Sequence, residues 1–124
     1  MMDRIAVQVE RDEGYKARVR FLDTPPDATT SDALAHACMT IADTVPISAI
    51  TVFTTSGSTA RRVARERPAT PMLVLTPSTR TARRVALLWG AHAVATKDIG
   101  SFEEMIGKGK RMALRHKFAA AGAK

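Results

Sequence analysis

Residues 47–76 read ISAITVFTTSGSTARRVARERPATPMLVLT and hold the pattern that decides the fold. Two short apolar runs, 49–53 and 72–76, enclose a stretch from 58 to 67 whose apolar residues recur at helical spacing. That stretch stops at Pro68, because proline cannot continue a helix. A strand, a helix and a second strand in this order predict a right-handed crossover between two parallel strands.

The alternation continues downstream of this unit. The sequence predicts a helix over 79–89 that ends at Gly90, then a weaker strand over 91–96. A last helix is predicted from Ser101 to about Phe118, with a glutamate three residues after the serine completing a capping box. We therefore expect an α/β fold in three layers, α/β/α, around a parallel sheet of about three strands.

Upstream of the unit the sequence predicts two helical regions. Residues 2–20 predict a charged helix, and residues 22–30 a proline-containing loop. Thr30 or Ser31 can cap the next helix, which stops at Pro46. The apolar residues of that helix are expected to form its buried face: Leu34, Cys38, Ile41, Ala42 and Val45.

The loop between the first strand and its helix combines five hydroxyl groups with one glycine: Thr54, Thr55, Ser56, Gly57, Ser58 and Thr59. Unpaired N–H groups and the dipole at a helix N-terminus favour an anion, and a glycine lets phosphate oxygens approach the backbone. These features predict phosphate binding. The alternative is a Ser/Thr-rich turn that only caps the helix, since the loop lacks the glycine spacing and the lysine of a P-loop.

Charge is divided unevenly along the chain, whose net charge is +7. Residues 1–55 hold five Lys/Arg against eight Asp/Glu, whereas residues 56–124 hold fourteen against four. An anionic partner is therefore expected. Nucleic acid is disfavoured because the few aromatic residues are not interleaved with the arginines.

Compartment and size follow from composition. The chain of 124 residues fits one domain, and no apolar stretch approaches the roughly 20 residues that a membrane span requires. The single cysteine, Cys38, cannot form an internal disulfide and is expected to pack in the core. Together with the lack of an apolar N-terminal region, this favours a cytoplasmic protein.

The hexapeptide TARRVA occurs twice, at 59–64 and 81–86. We expect its alanine and valine to face the sheet in two consecutive βα units, and its arginines to point to solvent or toward a partner. These arginines are Arg61, Arg62, Arg83 and Arg84.

No catalytic or metal-binding set is predicted. The histidines, His36, His92 and His116, are scattered over different predicted elements without metal-ligand spacing. Glu103 and Glu104 belong to the first turn of a helix, where acidic residues favour the dipole. Recognition of a small phosphate-bearing ligand remains as the expected chemistry.

Several strings of the chain occur in a specific order and spacing: AITVFTTSGSTAR at 49–61, RP at 67–68, PMLVLT at 71–76, TAR at 81–83 and WG at 89–90. Through them the chain resembles the C-terminal α/β domain of pyruvate kinases over essentially its whole length. The opening string MDRIA, at 2–6, resembles the helix that leads to this domain from the catalytic barrel.

The resemblance implies a fold and a division of labour. The family's sheet has strand order 3-2-1-4-5, of which this chain would supply 3-2-1. Residues 1–22 would form the helix that joins the barrel, 23–30 a linker, and 31–124 the C-terminal domain. In the family this domain binds an allosteric effector, a phosphorylated sugar or nucleotide monophosphate, and helps build a tetramer. The effector phosphate would lie on residues 54–59.

The resemblance also implies that catalysis occurs elsewhere. In pyruvate kinases the transfer of phosphate from phosphoenolpyruvate to ADP, and the binding of magnesium and potassium, belong to the barrel, whose segments this chain does not contain. Family members continue beyond the last helix with a strand, an effector loop and a final strand, whereas this chain stops at Lys124. We therefore expect half an effector site and an inactive fragment, or alternatively a stand-alone phosphate-ligand-binding module.

Overall fold

Helices and strands alternate along the part of the chain that the computed structural model describes, residues 1–21, 25–97 and 101–117. The elements are α1 Met2–Arg11, α2 Glu13–Phe21, α3 Thr30–Thr44, β1 Ile50–Phe53, α4 Ser58–Arg65, β2 Met72–Thr76, α5 Thr79–Val85, β3 Ala91–Ala95 and α6 Phe102–Arg115. Residues 22–24 of the predicted loop, Phe118 and the terminal residues to Lys124 lie outside the described residues. Helix α6 ends at Arg115, three residues before the predicted end. None of the helices in the described ranges is both long and apolar enough to cross a bilayer.

The three strands form one parallel sheet in the order β1-β2-β3. The register pairs Val52 with Val74 and Val74 with Ala93. All five residues of the central strand β2 are buried, as the continuous apolar run in the sequence predicted. The α/β class and the 3-2-1 strand order are therefore confirmed.

Helices cover both faces of this sheet. One face packs against α3, α4 and α5 through a core of aliphatic side chains: Ala35, Ile50, Val52, Ala60, Val63, Ala64, Met72, Val74 and Val85. On the other face, Leu73 and Leu75 are 0% and 1% exposed. There α6 crosses the sheet, and its Gly109 lies so close to Thr51 that an added β-carbon would come within 3.2 Å of the threonine methyl. Layers of helix, sheet and helix confirm the predicted three-layer architecture.

Helix α3 is rotated from the predicted orientation, so that only part of the predicted face is buried: Ala42 packs against the core, and Cys38 and Val45 are half-buried. Leu34 and Ile41 are 63% and 52% exposed, whereas Asp32 and Ala35 are buried. The rotation has a physical reason, because two arginines of α4 bind the Asp32 carboxylate and draw it inward. Arg62 Nε lies 2.9 Å from Oδ1, and Arg65 Nη2 lies 2.8 Å from Oδ2.

The start of α3 and its cysteine also differ in detail from expectation. The cap is Thr29, whose hydroxyl accepts a hydrogen bond from the Asp32 N–H, and the helix begins at Thr30. Cys38 is half-buried on this helix. A threonine one residue earlier than the predicted cap meets the same requirement, since the capping side chain must reach the N–H three residues onward.

The Asp32 ion pairs predict a pH dependence of stability. The hydrogen bond from Arg65 holds the pKa of the Asp32 carboxyl below its ordinary value of 3.8, against the opposing effect of burial. The stabilisation is therefore fully present above that ordinary value and is lost as the pH falls through the lowered pKa. In urea unfolding between pH 2 and 7, the wild-type chain should lose stability toward low pH more steeply than Asp32→Asn. Parallel curves for the two proteins would contradict the ion pair.

The N-terminal segment forms two helices where the sequence predicted one. The break falls at Asp12, whose backbone is extended and whose carboxylate accepts a hydrogen bond from the Gly14 N–H at 2.6 Å. An aspartate side chain that binds a nearby backbone N–H offers the chain an alternative to helix, which explains the interruption. Helix α1 has no buried residues in the structure.

A contact between the N-terminal helices and the sheet region centres on Arg67. Its guanidinium lies 4.7 Å from the ring centroid of Trp89 and donates a hydrogen bond of 3.2 Å to the Tyr15 hydroxyl. Arg67 has φ 48, an uncommon conformation for a residue other than glycine. Helix α5 ends at Val85 rather than at the predicted residue 89, and the chain then turns to bring Trp89 to this contact.

Candidate functional site

The hydroxyl-rich loop predicted from the sequence lies at the carboxyl edge of the sheet, between the end of β1 and the start of α4. Thr54 extends the β1–β2 ladder, because its N–H donates to the Leu75 carbonyl at 3.1 Å. Beyond this residue the backbone leaves the sheet. Thr55, Ser56, Ser58 and Thr59 are exposed, so the loop presents its hydroxyl groups to solvent.

Gly57 has a structural role that the sequence did not indicate. It is the N-cap of α4 with φ 90, a left-handed conformation, and it is buried. A β-carbon at this position would lie 2.9 Å from Cγ1 of Val85 and 3.4 Å from Cγ2 of Thr81. The fold therefore requires glycine here independently of any ligand.

Hydrogen bonds within the loop fix its shape. Thr54 Oγ1 accepts from the Gly57 N–H at 2.9 Å, and the Ser56 hydroxyl donates to Ser58 Oγ at 3.1 Å. The Thr81 hydroxyl donates to the Thr55 carbonyl at 2.9 Å, which ties the loop to α5. The hydroxyls of Thr55 and Thr59 take no part in these contacts and remain exposed.

The first turn of α4 differs from those of three other helices. A side chain accepts a hydrogen bond from the third residue of the helix in α3, α5 and α6. At α4 the N-cap is Gly57, and no side chain makes this bond. The Ser58 N–H donates to Ser56 Oγ at 3.4 Å. Because the first N–H groups of a helix have no intrahelical partner, the other N–H groups of this turn are available to an oxyanion.

The loop forms one wall of a cavity of about 310 Å³. The other walls come from the residues that follow β2 and β3 and from Met105 of α6. The lining residues are Phe53, Thr54, Thr55, Ser56, Ser58, Thr59, Leu75, Thr76, Pro77, Thr96, Lys97 and Met105. Lys97 contributes a positive charge, and the Lys108 ammonium donates to its carbonyl at 2.8 Å. The loop, the start of α4 and Lys97 form a site suited to a small anion.

Thr96 and Lys97 belong to this site but were not predicted from the sequence. A signal was present, because both residues directly follow β3, and the carboxyl ends of parallel strands meet at one edge of the sheet. Thr76 and Pro77 follow from β2 by the same rule. Reading only the loop after the first strand left out the walls that the next two strands supply.

The histidines are less scattered than the sequence indicated. His92 and His116 come together, with 3.2 Å between Nε2 of the first and Nδ1 of the second, whereas His36 Nδ1 lies 3.1 Å from Glu66 Oε2. Within the ranges that the structure describes, no group of three or more His, Cys, Asp and Glu residues could hold a metal ion.

The arginines of the repeated hexapeptide have different surroundings. Arg61, Arg83 and Arg84 are exposed, as expected for a solvated helix face, whereas Arg62 binds Asp32. Their valine neighbours face the sheet, with Val63 and Val85 only 3% and 2% exposed, and so do the buried alanines, whereas Ala86 is exposed. The repeat therefore marks two equivalent βα units, and Arg62 of the first unit, together with Arg65, also anchors α3.

A larger cavity, of about 810 Å³, lies near the contact of Arg67, Tyr15 and Trp89. Its walls come from α1, α2 and α3 and from the segments that precede β2 and β3. Its lining sets Arg11, Lys16 and Arg67 against Glu10 and Asp43, whereas the lining of the smaller cavity contains Lys97 and no carboxylate.

Comparison with known proteins identifies the family. The sequence profile described as "Pyruvate kinase, alpha/beta domain" matches residues 32–124. Pyruvate kinase of Methylorubrum extorquens is 40% identical over 121 residues, which are 98% of this chain and 25% of that protein. Pyruvate kinase of Clostridium acetobutylicum is 32% identical over 121 residues, 98% of this chain and 26% of that protein.

Solved structures agree in fold. The crystal structure of a pyruvate kinase from Cryptosporidium parvum superposes with a TM-score of 0.75 at 22% identity, over 81% of this chain and 20% of that one. The chain thus spans about a quarter of the length of the curated relatives it matches. With the profile, the relatives and the strand order in agreement, this chain belongs to the pyruvate kinase family and contains its α/β domain.

Proposed function

We propose that the chain is the regulatory domain of a pyruvate kinase and that its 54–59 loop binds the phosphate of an allosteric effector. The effector class is a phosphorylated sugar or a nucleotide monophosphate. One observation carries the proposal: an exposed, hydroxyl-rich loop meets the uncapped start of α4 in a cavity that also contains Lys97. Phosphate oxygens there would accept hydrogen bonds from first-turn N–H groups and from exposed hydroxyls.

The parent enzyme, in this proposal, is a cytoplasmic phosphotransferase that converts phosphoenolpyruvate and ADP to pyruvate and ATP. In this proposal the chain itself holds neither the magnesium nor the potassium of that reaction. These ions and the catalytic groups are assigned to the barrel, and the isolated chain should be inactive.

Contacts with the barrel and with other copies form the second part of this proposal. Ile5 and Val9 of α1 are 60% and 50% exposed, and Leu34 and Ile41 of α3 are also exposed. Apolar side chains on two helices support a role of these helices in contacts with the barrel and in assembly of a tetramer.

The expected affinity is low to moderate. Two or three hydrogen bonds to a charged phosphate at about 1.5–3 kcal/mol each, reduced by ordering and desolvation, correspond to millimolar or tighter binding. The charge of Lys97 adds to the attraction and makes it weaker at high salt.

Thr59→Asp separates phosphate binding from folding. Thr59 is the second residue of α4, where a carboxylate favours the helix dipole and should change stability by about +0.3–1 kcal/mol. The same carboxylate would repel a phosphate bound to that helix start. We expect the variant to be at least as stable as wild type in urea unfolding. It should also lose the amide shift changes that inorganic phosphate, AMP and a hexose bisphosphate cause at residues 54–60.

Thr79→Asp is the matched control, since it adds the same charge to the exposed first residue of α5, which does not line the cavity. It should keep the phosphate response. Amides of residues 54–60 that stay unshifted in wild type at tens of millimolar ligand would refute the phosphate site. If Thr59→Asp and Thr79→Asp showed equal amide shift changes with these ligands, the anion would not bind at the start of α4.

A further inference from the structure

The side chains of His92 in β3 and His116 at the end of α6 are in contact. His92 is the second residue of β3 and is paired in register with Leu73, which in turn is paired with Thr51. These positions face the side of the sheet that α6 covers, and His116 is the C-cap of α6. His92 is exposed and His116 half-buried, so solutes can reach both rings.

The geometry of the two rings differs from that of a linear hydrogen bond. Nε2 of His92 and Nδ1 of His116 are 3.2 Å apart, and the ring centroids are 4.9 Å apart with an angle of 55° between the planes. A linear N–H···N bond would add about 1.1 Å of ring on each side and hold the centroids roughly 5.5 Å apart. The observed centroids are closer than this, so the lone pairs of the two nitrogens do not point along the line that joins the nitrogens.

Both distances are compatible with chelation of one metal ion. With zinc–nitrogen bonds of about 2.05 Å, two nitrogens at the observed separation subtend roughly 103° at the metal, near the tetrahedral angle. Extending each bond back through its ring places the centroids about 5.0 Å apart. This value agrees with the 4.9 Å of the structure.

We propose that His92 and His116 form a two-histidine site for a divalent transition metal such as zinc. Imidazole nitrogens suit zinc, copper and nickel, whereas magnesium requires oxygen ligands, so this site is separate from the ions of the phosphotransfer reaction. No third His, Cys, Asp or Glu of the described residues completes a group of three, and water can occupy coordination positions that the two rings leave open.

The site would fasten α6 to the sheet. Helix α6 covers the sheet face that contains Leu73 and Leu75, and its Met105 lines the cavity of the 54–59 loop. A metal that binds the folded chain and not the unfolded one raises stability in proportion to the logarithm of its concentration. The bound metal therefore stabilises the helix that borders the effector cavity.

Zinc titration of the complete 124-residue chain, free of any affinity tag and dialysed against EDTA, tests the proposal. We expect zinc between 1 µM and 1 mM to raise the thermal unfolding midpoint by about 2–6 °C. The ring proton signals of His92 and His116 should shift, while those of His36 should stay. Magnesium at the same concentrations should have no effect.

Three single variants make the test specific. His92→Gln and His116→Gln should each weaken zinc binding at least tenfold in calorimetry, and His36→Gln, the matched control, should keep wild-type affinity. Calorimetry below the unfolding midpoint of each variant keeps the result independent of any loss of stability. Wild-type affinity in His116→Gln, or unshifted His92 and His116 signals at 1 mM zinc, would show that the pair only shares a proton.

Discussion

Replacing Gly57 with alanine should lower the free energy of unfolding by about 2–5 kcal/mol. Two effects add. A non-glycine residue in a left-handed conformation costs about 1–2 kcal/mol, and Gly57 has φ 90. The added β-carbon would also lie 2.9 Å from Cγ1 of the buried Val85, and overpacking of this kind costs about 1–3 kcal/mol. Urea unfolding monitored by circular dichroism gives the measurement.

Two other glycines separate these effects. Gly90 has φ 63, and a β-carbon added there would have no atom within 4 Å, so Gly90→Ala should show the backbone cost alone, about 1–2 kcal/mol. Gly107, inside α6 and also open, should gain about 0.5–1 kcal/mol as alanine. If Gly57→Ala costs no more than Gly90→Ala, the contact with Val85 is not tight.

A double variant tests the contact directly. Val85→Ala removes the methyl group that the new β-carbon would meet, so Gly57→Ala should be about 1 kcal/mol less destabilising in that background. From the sequence, a Gly57→Val change would be expected to abolish phosphate binding and leave the fold largely intact. The structure contradicts the second half, so loss of binding in that variant would say nothing about the ligand.

Local patterns predicted most of the elements. The run 72–76 could only be a buried strand, and it forms β2 with those bounds. Pro46 and Pro68 correctly limited the helices before them, because proline acts on its own backbone and that of its neighbour. The three-layer arrangement followed from alternating strands and helices without any side-chain detail.

Features that depend on distant residues could not be predicted in the same way. The buried face of α3 is set by Asp32, whose partners Arg62 and Arg65 lie 30 and 33 residues away. Helical spacing alone favoured Leu34 and Ile41, since periodicity records where apolar residues are and not which partner a charge finds. The His92–His116 pair could not be predicted for the same reason, because its two residues are 24 positions apart in the sequence.

The candidate site was predicted in part. The 54–59 loop could be located because it follows a strand and precedes a helix, and the structure places all six residues at that junction. Lys97 belongs to the same cavity only because the sheet brings three strand ends together. Gly57 was recognised as special, but its contact with Val85 depends on the packing of α5 beside α4.

Leu73→Ala should be the most damaging single truncation in the sheet, with a loss of about 2–5 kcal/mol in the free energy of unfolding. Leu73 is 0% exposed in the central strand. Shortening its side chain removes buried methyl groups and leaves a cavity that two flanking strands and α6 cannot easily fill. Urea unfolding of the variant at constant pH measures the loss.

The same substitution at Leu87 is the matched control. Leu87 is 91% exposed, so Leu87→Ala should change stability by less than about 0.5 kcal/mol. The comparison also tests α6, because the side of the sheet that contains Leu73 is buried only while that helix lies across it. A small effect at Leu73, close to that at Leu87, would mean that α6 does not stay packed in solution. Zinc should increase the destabilisation caused by Leu73→Ala if the His92–His116 site holds α6 in place. A helix that is held at its end cannot shift to relax around the cavity that the shortened side chain leaves.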